Sequence, residues 1–461
     1  MIWRKKFLAM VLLVTVVMSS TSVVGATSQP TKKAVSTKPS NQVNMYSLPT
    51  SKKADEVWKQ LQQGKSPKEL GLISAQQHAS KQKSLKEMER EAAQSKQIYP
   101  VKMNPSTQAP GEKWSPPPFD KVFENITFDE CIERSQGKDD FKWIKNHYAS
   151  CQTEYFTVAP LLPLEGPLVF RLTIIGHGSY GERKVSYEYQ IDDIKHGYEG
   201  IPGDTGWWEN AEISVDLLCN GTSNNPDCIG DQGPTTRSVS EWRENPRAAE
   251  ALTSNEPPPT LENIERVSYM DIRPKVTVNP PGLFPERSGE GLTQKVRADS
   301  ADYMLRKKAA IFAEATPVFY YQESDPYFDI MDPAFEHHKQ AITDPQKTFP
   351  PKEGKKIPGQ SAPLTRLYPQ LDPVQAGRNK YTKDIACADL RKTLPEDPRQ
   401  KGEQCDEFPF ASTYEGAGKG DGNFSVRYIP GDANNAHGRW LNAWYSYDRI
   451  LHKDQFYIGF R

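Results

Sequence analysis

The sequence of 461 residues predicts an α+β protein built in three parts. Short segments that alternate apolar and polar residues, punctuated by glycine and proline, predict a β-rich, sandwich-like domain over residues 119–330. From Met331 onward, helical patterns alternate with a few strand patterns, which predicts a small C-terminal domain over 331–461 with a short sheet and flanking helices. The residues before 119 are rich in polar groups and proline and predict a disordered or helical leader.

The first 26 residues have the pattern of a secretory signal peptide. Three basic residues, Arg4 to Lys6, precede an apolar run from Phe7 to Val17, and the small residues Val24-Gly25-Ala26 follow as a cleavage site. The apolar run is shorter than the roughly 20 residues that span a bilayer, and a retained anchor is the alternative. We therefore expect a secreted, extracellular protein with signal peptide 1–26 and no stable membrane insertion after cleavage.

Residues 27–118 make up the predicted leader that remains. Polar residues dominate 27–50, residues 53–95 have helical spacing, and five prolines mark 104–119 as a linker. One interpretation is a docking or inhibitory segment. We favour the other interpretation, which is a solvated leader without fixed contacts.

The β-rich domain shows strand patterns but no chemical motif. Apolar alternation or apolar runs predict strands over 169–176, 185–191, 211–218 and 318–321. The adjacent Trp207 and Trp208 are open to two interpretations, a carbohydrate-binding or wall-binding face and ordinary core packing. Core packing is the commoner situation for tryptophan, and we favour it.

Six cysteines, an even number, fit an exported protein with disulfide bonds. Their grouping along the chain predicts three pairs by proximity, although other pairings stay open: Cys131–Cys151, Cys219–Cys228 and Cys387–Cys405. No Cys-x-x-Cys pair is present, so a zinc–thiolate site is the less favoured interpretation.

The C-terminal domain has two helical and two strand patterns. Helices are predicted over 334–342 and 385–394, and strands over 424–429 and 455–460. The net charge of the whole chain is −1, which excludes a protein that is basic throughout. Binding to a polyanion would therefore need local patches of positive charge.

Three carboxylates, Asp406, Glu407 and Glu415, fall within ten residues of an otherwise small and apolar segment. Hard divalent cations prefer oxygen ligands and often bind through one or two carboxylates. Such a cation neutralises phosphate charge and activates water, so this pattern suits phosphodiester hydrolysis. Surface charge beside a disulfide bond is the alternative interpretation.

Several blocks, taken in order, resemble the NucA/NucB family of secreted bacterial deoxyribonucleases. The blocks are Asp406-Glu407-Phe408-Pro409, Glu415-Gly416, the strand Ser425 to Pro430, Asn434 with Gly438, and Phe456-Tyr457-Ile458. The resemblance covers about residues 385–461. One departure is an extra residue in the asparagine block, so that Asn434 and Asn435 compete for one role.

The resemblance implies a site that hydrolyses DNA with Mg²⁺ or Mn²⁺. It implies that Asp406 and Glu415 hold the metal and that Glu407 supports them from behind. Asn434 or Asn435 would orient water or phosphate, and His437 would act as a general base, unless it is an ordinary loop histidine. Arginines would bind the flanking phosphates as planar forks, and the ones in question are Arg427, Arg439 and Arg366.

The leading expectation is a secreted, metal-dependent, non-specific endonuclease whose partner is the DNA backbone. One alternative is an inactive, nuclease-like protein that binds a surface or cell wall. Another is a contact-delivered nuclease toxin, for which an inhibitor or immunity protein would be the expected partner.

Overall fold

The computed structural model describes residues 83–93, 97–101, 123–136, 141–158, 166–196, 206–221, 228–321 and 328–460, with shorter pieces at 45–48 and between 56 and 74. The predicted signal peptide, most of the predicted leader and the 104–119 linker lie outside these residues. Val43–Arg461 forms one compact unit, and the description below concerns that unit.

The α-helices of the described residues are short except for the last three, which lie in the C-terminal region. They are α1 (Leu85–Ala93), α2 (Phe128–Ser135), α3 (Val239–Glu244), α4 (Phe328–Thr343), α5 (Pro373–Thr393) and α6 (Gly431–Tyr447). Local signals explain where two of them begin. Ser238 and Glu241 form a capping box before α3, and Asp372 caps α5, whose first residue is a proline.

Three strands precede the β-rich region: β1 (Met45–Leu48), β2 (Ile73–Ser74) and β3 (Gln97–Val101). The β-rich region contains β4 (Phe141–Asn146), β5 (Ala149–Val158), β6 (Leu168–His177), β7 (Ser179–Tyr180), β8 (Lys184–His196), β9 (Glu212–Gly221), β10 (Cys228–Gly230), β11 (Thr235–Ser238), β12 (Arg247–Ser254), β13 (Ser268–Asn279), β14 (Arg287–Glu290), β15 (Gln294–Ser300), β16 (Lys308–Phe312) and β17 (Ala315–Tyr321). The last four strands are β18 (Leu364–Thr365), β19 (Glu403–Phe408), β20 (Ser425–Pro430) and β21 (Gln455–Phe460).

Two large antiparallel sheets make up the β-rich region. One has the order β10-β12-β8-β6-β5-β1-β2, with β4 also pairing β5, and the other has the order β11-β9-β13-β15-β16-β7, with β14 pairing β13. Buried side chains from both sheets, such as Phe170 and Val276, belong to one hydrophobic core. The predicted β-rich, sandwich-like region and the α+β class are thereby confirmed. Trp208 is part of this core and donates its indole N–H to the carbonyl of Gly166.

The leader contributes more strand than its composition predicts. Helix α1 fits the helical spacing, but β1 and β3 were not predicted. Met45 of β1 is fully buried where the strand pairs with β5, and β3 lies parallel to β17. These strands form although their local sequence does not predict them, because each one pairs with the edge strand of an existing sheet.

A third sheet, of order β18-β21-β17-β3, joins parts of the chain that are far apart in sequence. Strand β17 lies parallel to both β21 and β3. Its buried side chains Phe319 and Tyr321 pack against the aromatic side of α6. The sheet therefore places the end of the β-rich region directly beneath the C-terminal helices. The predicted domain limits 119–330 and 331–461 stay a prediction.

A buried charged cluster ties the same regions together behind this sheet. The guanidinium of Arg449 binds the carboxylate of Asp299 on β15, with Nε 3.0 Å from Oδ1, and both side chains are fully buried. The neighbouring Asp448 accepts a hydrogen bond of 2.7 Å from the hydroxyl of Tyr99 on β3. A buried ion pair is costly to break from one side only, so the cluster fixes the register of the joined segments.

In the C-terminal region the predicted strands 424–429 and 455–460 correspond to β20 and β21. The predicted helix 334–342 lies inside α4, and the predicted helix 385–394 covers the last part of α5. His437 does not lie in a loop, because α6 begins at Gly431. Asparagine and glycine are poor helix formers, but burial of Ala433, His437 and Trp440 on one side of α6 overrides their propensity.

Candidate functional site

The candidate site is built on a two-stranded antiparallel ribbon, β19 with β20. Asp406 of β19 lies directly opposite Arg427 of β20, so the two side chains share one face of the ribbon. Glu407 is the next residue along the strand and points to the other face. The disulfide bond Cys387–Cys405, with 6.1 Å between the Cα atoms, ties α5 to the strand one residue before Asp406.

Helix α4 covers the face that carries Asp406. The helix packs there through its own buried residues Ala334, Phe335 and Ala341. Between these residues, His337 and His338 present two consecutive imidazoles to one carboxylate oxygen. Nδ1 of His337 is 2.7 Å from Oδ2 of Asp406, and Nε2 of His338 is 2.9 Å from the same oxygen.

The second nitrogen of each imidazole is also hydrogen-bonded. Nε2 of His337 is 2.8 Å from the hydroxyl of Ser425, and Nδ1 of His338 is 2.6 Å from the hydroxyl of Tyr321. The Tyr321 hydroxyl also lies 2.8 Å from Nε2 of His437 on α6. One continuous polar network therefore runs from Ser425 through Asp406 to His437, and all its side chains are buried.

Burial and charge act in opposite directions on this network. Burial raises the pKa of Asp406, but the His338 and His337 imidazoles outweigh it and hold that pKa below the usual range. Burial lowers the pKa of His337, although Asp406 opposes the shift. Burial also lowers the pKa of His437 to about 3. The site thus holds an ionised carboxylate, and His437 is neutral at physiological pH.

Three side chains of the network are arranged as metal ligands. One ligand atom each from His337, His338 and Asp406 lies within 4.8 Å of the others. Among the described residues, these three form the one group of histidine, cysteine and acidic side chains that is close enough to hold a metal ion. Glu415 is not a member of it. Its Oε2 accepts a 2.7 Å hydrogen bond from the backbone N–H of Thr365, and its Oε1 accepts one of 3.0 Å from the Thr365 hydroxyl.

A cleft of about 280 Å³ opens beside the network. Ser425 lines it and connects it to His337, and Arg427 lines it from the same strand. The guanidinium of Arg427 donates to the amide oxygen of Gln340 on α4. With Lys347, in the 3-10 turn that follows α4, the cleft carries two cationic side chains and one acidic one, Glu403, so its lining is weakly positive.

A larger cavity, of about 680 Å³, lies away from these residues. It is lined by α1, by strands of the β-rich region and by the loop before β21. Polar groups in its lining are hydrogen-bonded to one another. The guanidinium of Arg297 donates to Asp454 at 2.7 Å, and the backbone N–H of His452 donates to Glu265 at 3.0 Å. None of the predicted site residues lines it.

The remaining predicted site residues are placed in different surroundings. Glu407 is buried on the far face of the ribbon, where burial raises its pKa to about 8. Asn434 donates to the amide oxygen of Gln404 at 3.0 Å, while Asn435 and Arg439 are exposed on α6. Their predicted roles stay predictions.

Arg366 is placed where it favours a structural role over phosphate binding. The side chain is 4 % exposed, and its guanidinium donates to the carbonyl of Ile450. The same guanidinium lies 4.4 Å from the centre of the Tyr445 ring. A buried, stacked guanidinium with these partners has no face turned to solvent, which the sequence alone could not indicate.

Four residues of the network were not predicted from the sequence as site residues: His337, His338, Tyr321 and Ser425. One signal was available, since the consecutive histidines are two of only eight in the chain and lie in a predicted helix. Tyr321 and Ser425 gave no signal, because a strand tyrosine and a strand serine are common in ordinary sheets.

All three predicted cysteine pairs are bonded in the structure. The other two bonds, Cys131–Cys151 and Cys219–Cys228, belong to the β-rich region, each with 6.0 Å between Cα atoms. Three disulfide bonds fit an extracellular protein. Among the described residues, no helix combines the length and the hydropathy that crossing a membrane requires.

The C-terminal region thus combines a buried carboxylate–imidazole cluster with an adjacent cleft whose lining is weakly positive. Residues 362–459, 98 of the 461, match the family model described as deoxyribonuclease NucA/NucB. The resemblance drawn from the sequence motifs is confirmed, and it extends upstream to residue 362. No curated protein matches the chain, and no solved structure does. Helix α4, with both imidazoles, lies before the matched region.

Proposed function

We propose that this protein is a secreted, metal-dependent, non-specific endonuclease that hydrolyses DNA phosphodiester bonds at the β19–β20 ribbon. The observation that carries the proposal is Asp406. It stands in the family's Asp-Glu-aromatic-Pro block and is held as an ionised carboxylate beside a cationic cleft. A carboxylate of this kind, fixed by its neighbours before substrate arrives, is the type of ligand that a divalent cation prefers, and the cation in turn stabilises the negative charge of the phosphate.

The cleft would bind the DNA backbone through side chains that carry no base-reading pattern. Arg427 presents a planar fork of N–H donors, which matches the oxygens of a phosphate, and Lys347 adds a point charge. Contacts to phosphate fix position without reading sequence, which accounts for non-specific cleavage. The exposed Arg439 and Asn435 on α6 are proposed to contact the phosphates that flank the cleft.

A divalent cation, Mg²⁺ or Mn²⁺, is proposed to be held by Asp406, and it would neutralise phosphate charge and supply a more acidic water. The carboxylate fits this role because it is ionised and its neighbours fix its orientation. Glu415 was expected to be a second ligand, but both its oxygens bond Thr365. Its metal role stays a prediction. The general-base role of His437 stays a prediction: its Nε2 lies 2.8 Å from the Tyr321 hydroxyl, and burial lowers its pKa to about 3, which makes it a weak base at physiological pH.

The disulfide bonds and the family match support action outside the cell. A contact-delivered toxin with an inhibitor or immunity protein would use the same chemistry. The alternative of an inactive surface-binding protein depended on an open tryptophan face, and Trp208 is buried with its indole N–H bonded. This placement favours the nuclease proposal.

The test is plasmid cleavage by the purified full chain in Mg²⁺ or Mn²⁺, with and without a chelator. Wild-type protein should nick and then linearise the plasmid, and the chelator should stop both reactions. Asp406→Asn should abolish cleavage, while Asp389→Asn, an exposed acid on α5, should not. Equal cleavage by wild type and Asp406→Asn would exclude Asp406 from the reaction, and no cleavage in either metal would exclude the function.

A further inference from the structure

We infer that His337, His338 and Asp406 form a binding site for a transition-metal ion of the Zn²⁺ class, with two ligands from α4. As the cofactor site of a nuclease, this inference rests on the function proposed above and assigns Asp406 to a Zn²⁺-class ion in place of Mg²⁺ or Mn²⁺. As a metal site, it stands on geometry alone. Both imidazoles come from residues before the region that matches the family.

The three ligand atoms are close enough to share one ion. Nitrogen and oxygen ligands bind Zn²⁺ at about 2.0–2.2 Å, so two ligands of one ion lie no more than about 4.4 Å apart. Oδ2 of Asp406 lies 2.7 and 2.9 Å from the two imidazole nitrogens, which is within this limit, and all three atoms lie within 4.8 Å of one another. Binding one ion would therefore require the two imidazole nitrogens to move closer together by at most about 0.4 Å.

The surroundings of the imidazoles are those of metal ligands. Histidines that bind metals usually hold their other ring nitrogen in a hydrogen bond, which fixes the tautomer and the ring plane. His337 does so through the Ser425 hydroxyl and His338 through the Tyr321 hydroxyl. Hydroxyls donate or accept equally well. Each hydroxyl can therefore accept a hydrogen bond from the outer ring N–H when the inner nitrogen binds an ion.

The ligand chemistry selects the class of ion. Mg²⁺ prefers oxygen ligands and keeps several waters, whereas imidazole suits Zn²⁺ and neighbouring transition metals. Three protein ligands also leave a fourth position on a tetrahedral ion, which is the pattern of catalytic zinc sites. Ser425, which bonds His337, and Arg427 line the adjacent cleft, so the cleft is separated from the ligand cluster by the Ser425 side chain.

Ser425, His337 and Asp406 also have the spacing of a Ser-His-Asp triad, at 2.8 and 2.7 Å. Two observations favour the metal site. His338 binds the same carboxylate oxygen that a triad reserves for one histidine, and Ser425 is only 1 % exposed. A nucleophilic serine needs a free approach to its oxygen, which this burial restricts.

The experiment measures cobalt binding by chelator-treated full chain, because Co²⁺ replaces Zn²⁺ and its visible absorption reports imidazole coordination. We expect one equivalent per chain, displaced by Zn²⁺, and a higher Tm when Zn²⁺ is added. His338→Asn and His337→Asn should lower the affinity more than a hundredfold, and Ser425→Ala by about ten- to a hundredfold. The matched control His177→Asn, in the β-rich region, should bind as wild type does.

Equal cobalt binding by wild type and His338→Asn would overturn the inference. Because His338→Asn could unfold, near-ultraviolet circular dichroism of each variant and the Tm shift of wild type in Zn²⁺ serve as independent readouts. A wild type whose Tm does not respond to Zn²⁺ or Co²⁺ also overturns it. Labelling of Ser425 by a fluorophosphonate, without cobalt binding, would replace the metal site with a nucleophilic serine. Plasmid cleavage in Mg²⁺ without cobalt binding would remove this inference and leave the proposed function standing.

Discussion

Nδ1 of His337 lies 2.7 Å from Oδ2 of Asp406, although the two residues are 69 positions apart in the chain. Asp406 belongs to the part of the chain that matches the NucA/NucB family, and His337 lies before it. The contact therefore joins an element from outside the matched region to the carboxylate at the centre of the site. Helix α4 completes the surroundings of Asp406, and the first prediction tests that carboxylate.

Replacing Asp406 by asparagine should lower the rate of plasmid cleavage by about a hundredfold or more, the loss typical of a removed electrostatic group. The change keeps the shape of the side chain and removes its charge, so the protein should stay folded. Initial nicking rates in Mg²⁺ and Mn²⁺ measure the effect. The exposed Asp389→Asn serves as the matched control, and a loss of the same size there would contradict the assignment.

Replacing Glu415 by glutamine should lower the free energy of unfolding by about 1–3 kcal/mol, because charged hydrogen bonds to Thr365 are weakened. Cobalt affinity should stay within a few-fold of wild type, since Glu415 lies outside the ligand cluster. Urea unfolding and cobalt titration make the two measurements. A loss of cobalt binding in this variant would restore Glu415 as the ligand that the resemblance implies.

Replacing Arg427 by alanine should raise the KM for DNA about tenfold and reduce the dependence of binding on salt by about one phosphate contact. The reason is its position in the cleft beside Ser425. Arg243, an exposed arginine of α3 that bonds Glu209 in the β-rich region, supplies the control through Arg243→Ala. Equal KM values and equal salt dependence in the two variants would contradict the role of Arg427 in binding phosphate.

Replacing both Cys387 and Cys405 by alanine should lower the free energy of unfolding by about 3 kcal/mol, because the bond closes a loop of 18 residues. Cleavage should fall as well, since the bond pins the strand one residue before Asp406. The matched double variant removes Cys219–Cys228 in the β-rich region and should leave cleavage unchanged. Urea unfolding and nicking rates, compared between the two double variants, measure both effects.

Glu250 predicts a pH dependence of stability in the β-rich region. Burial raises its pKa to about 7, with Asp216 adding to the shift, so the folded chain holds this proton more tightly than the unfolded chain. Its stabilising contribution is present below its ordinary pKa of 4.5 and is lost as pH rises through 7. Between pH 5 and pH 8, the free energy of unfolding of wild type should fall by up to about 3 kcal/mol more than that of Glu250→Gln.

Urea unfolding at both pH values measures this difference, and the exposed Glu182→Gln serves as the control. Wild type and Glu250→Gln with parallel stability profiles would contradict the role of Glu250.

Local patterns sufficed for much of this molecule. The spacing of apolar residues predicted β20, β21 and parts of α4 and α5, and the nearness of cysteines in sequence predicted all three bonds. These features depend on neighbouring residues, so a single sequence contains the necessary information. The Asp-Glu-aromatic-Pro block, likewise, is local.

Non-local contacts account for what was missed. Strand β3 joins β17 across more than two hundred residues, and nothing in the Gln97–Val101 sequence specifies that partner. Helix α6 forms from weak helix formers because its buried side finds a place against β17. His337 and His338 gain their chemical meaning only when α4 packs over Asp406, and a helical pattern does not reveal which strand it will cover.

The most direct test of the central claim, that Asp406 and the α4 imidazoles form one metal-binding catalytic site, is anomalous diffraction from crystals grown with Co²⁺ or Zn²⁺. The account predicts one strong peak at bonding distance, about 2.0–2.2 Å, from Nδ1 of His337, Nε2 of His338 and Oδ2 of Asp406. A fully occupied peak elsewhere in the protein, with these three atoms still bonded only to one another, would contradict it.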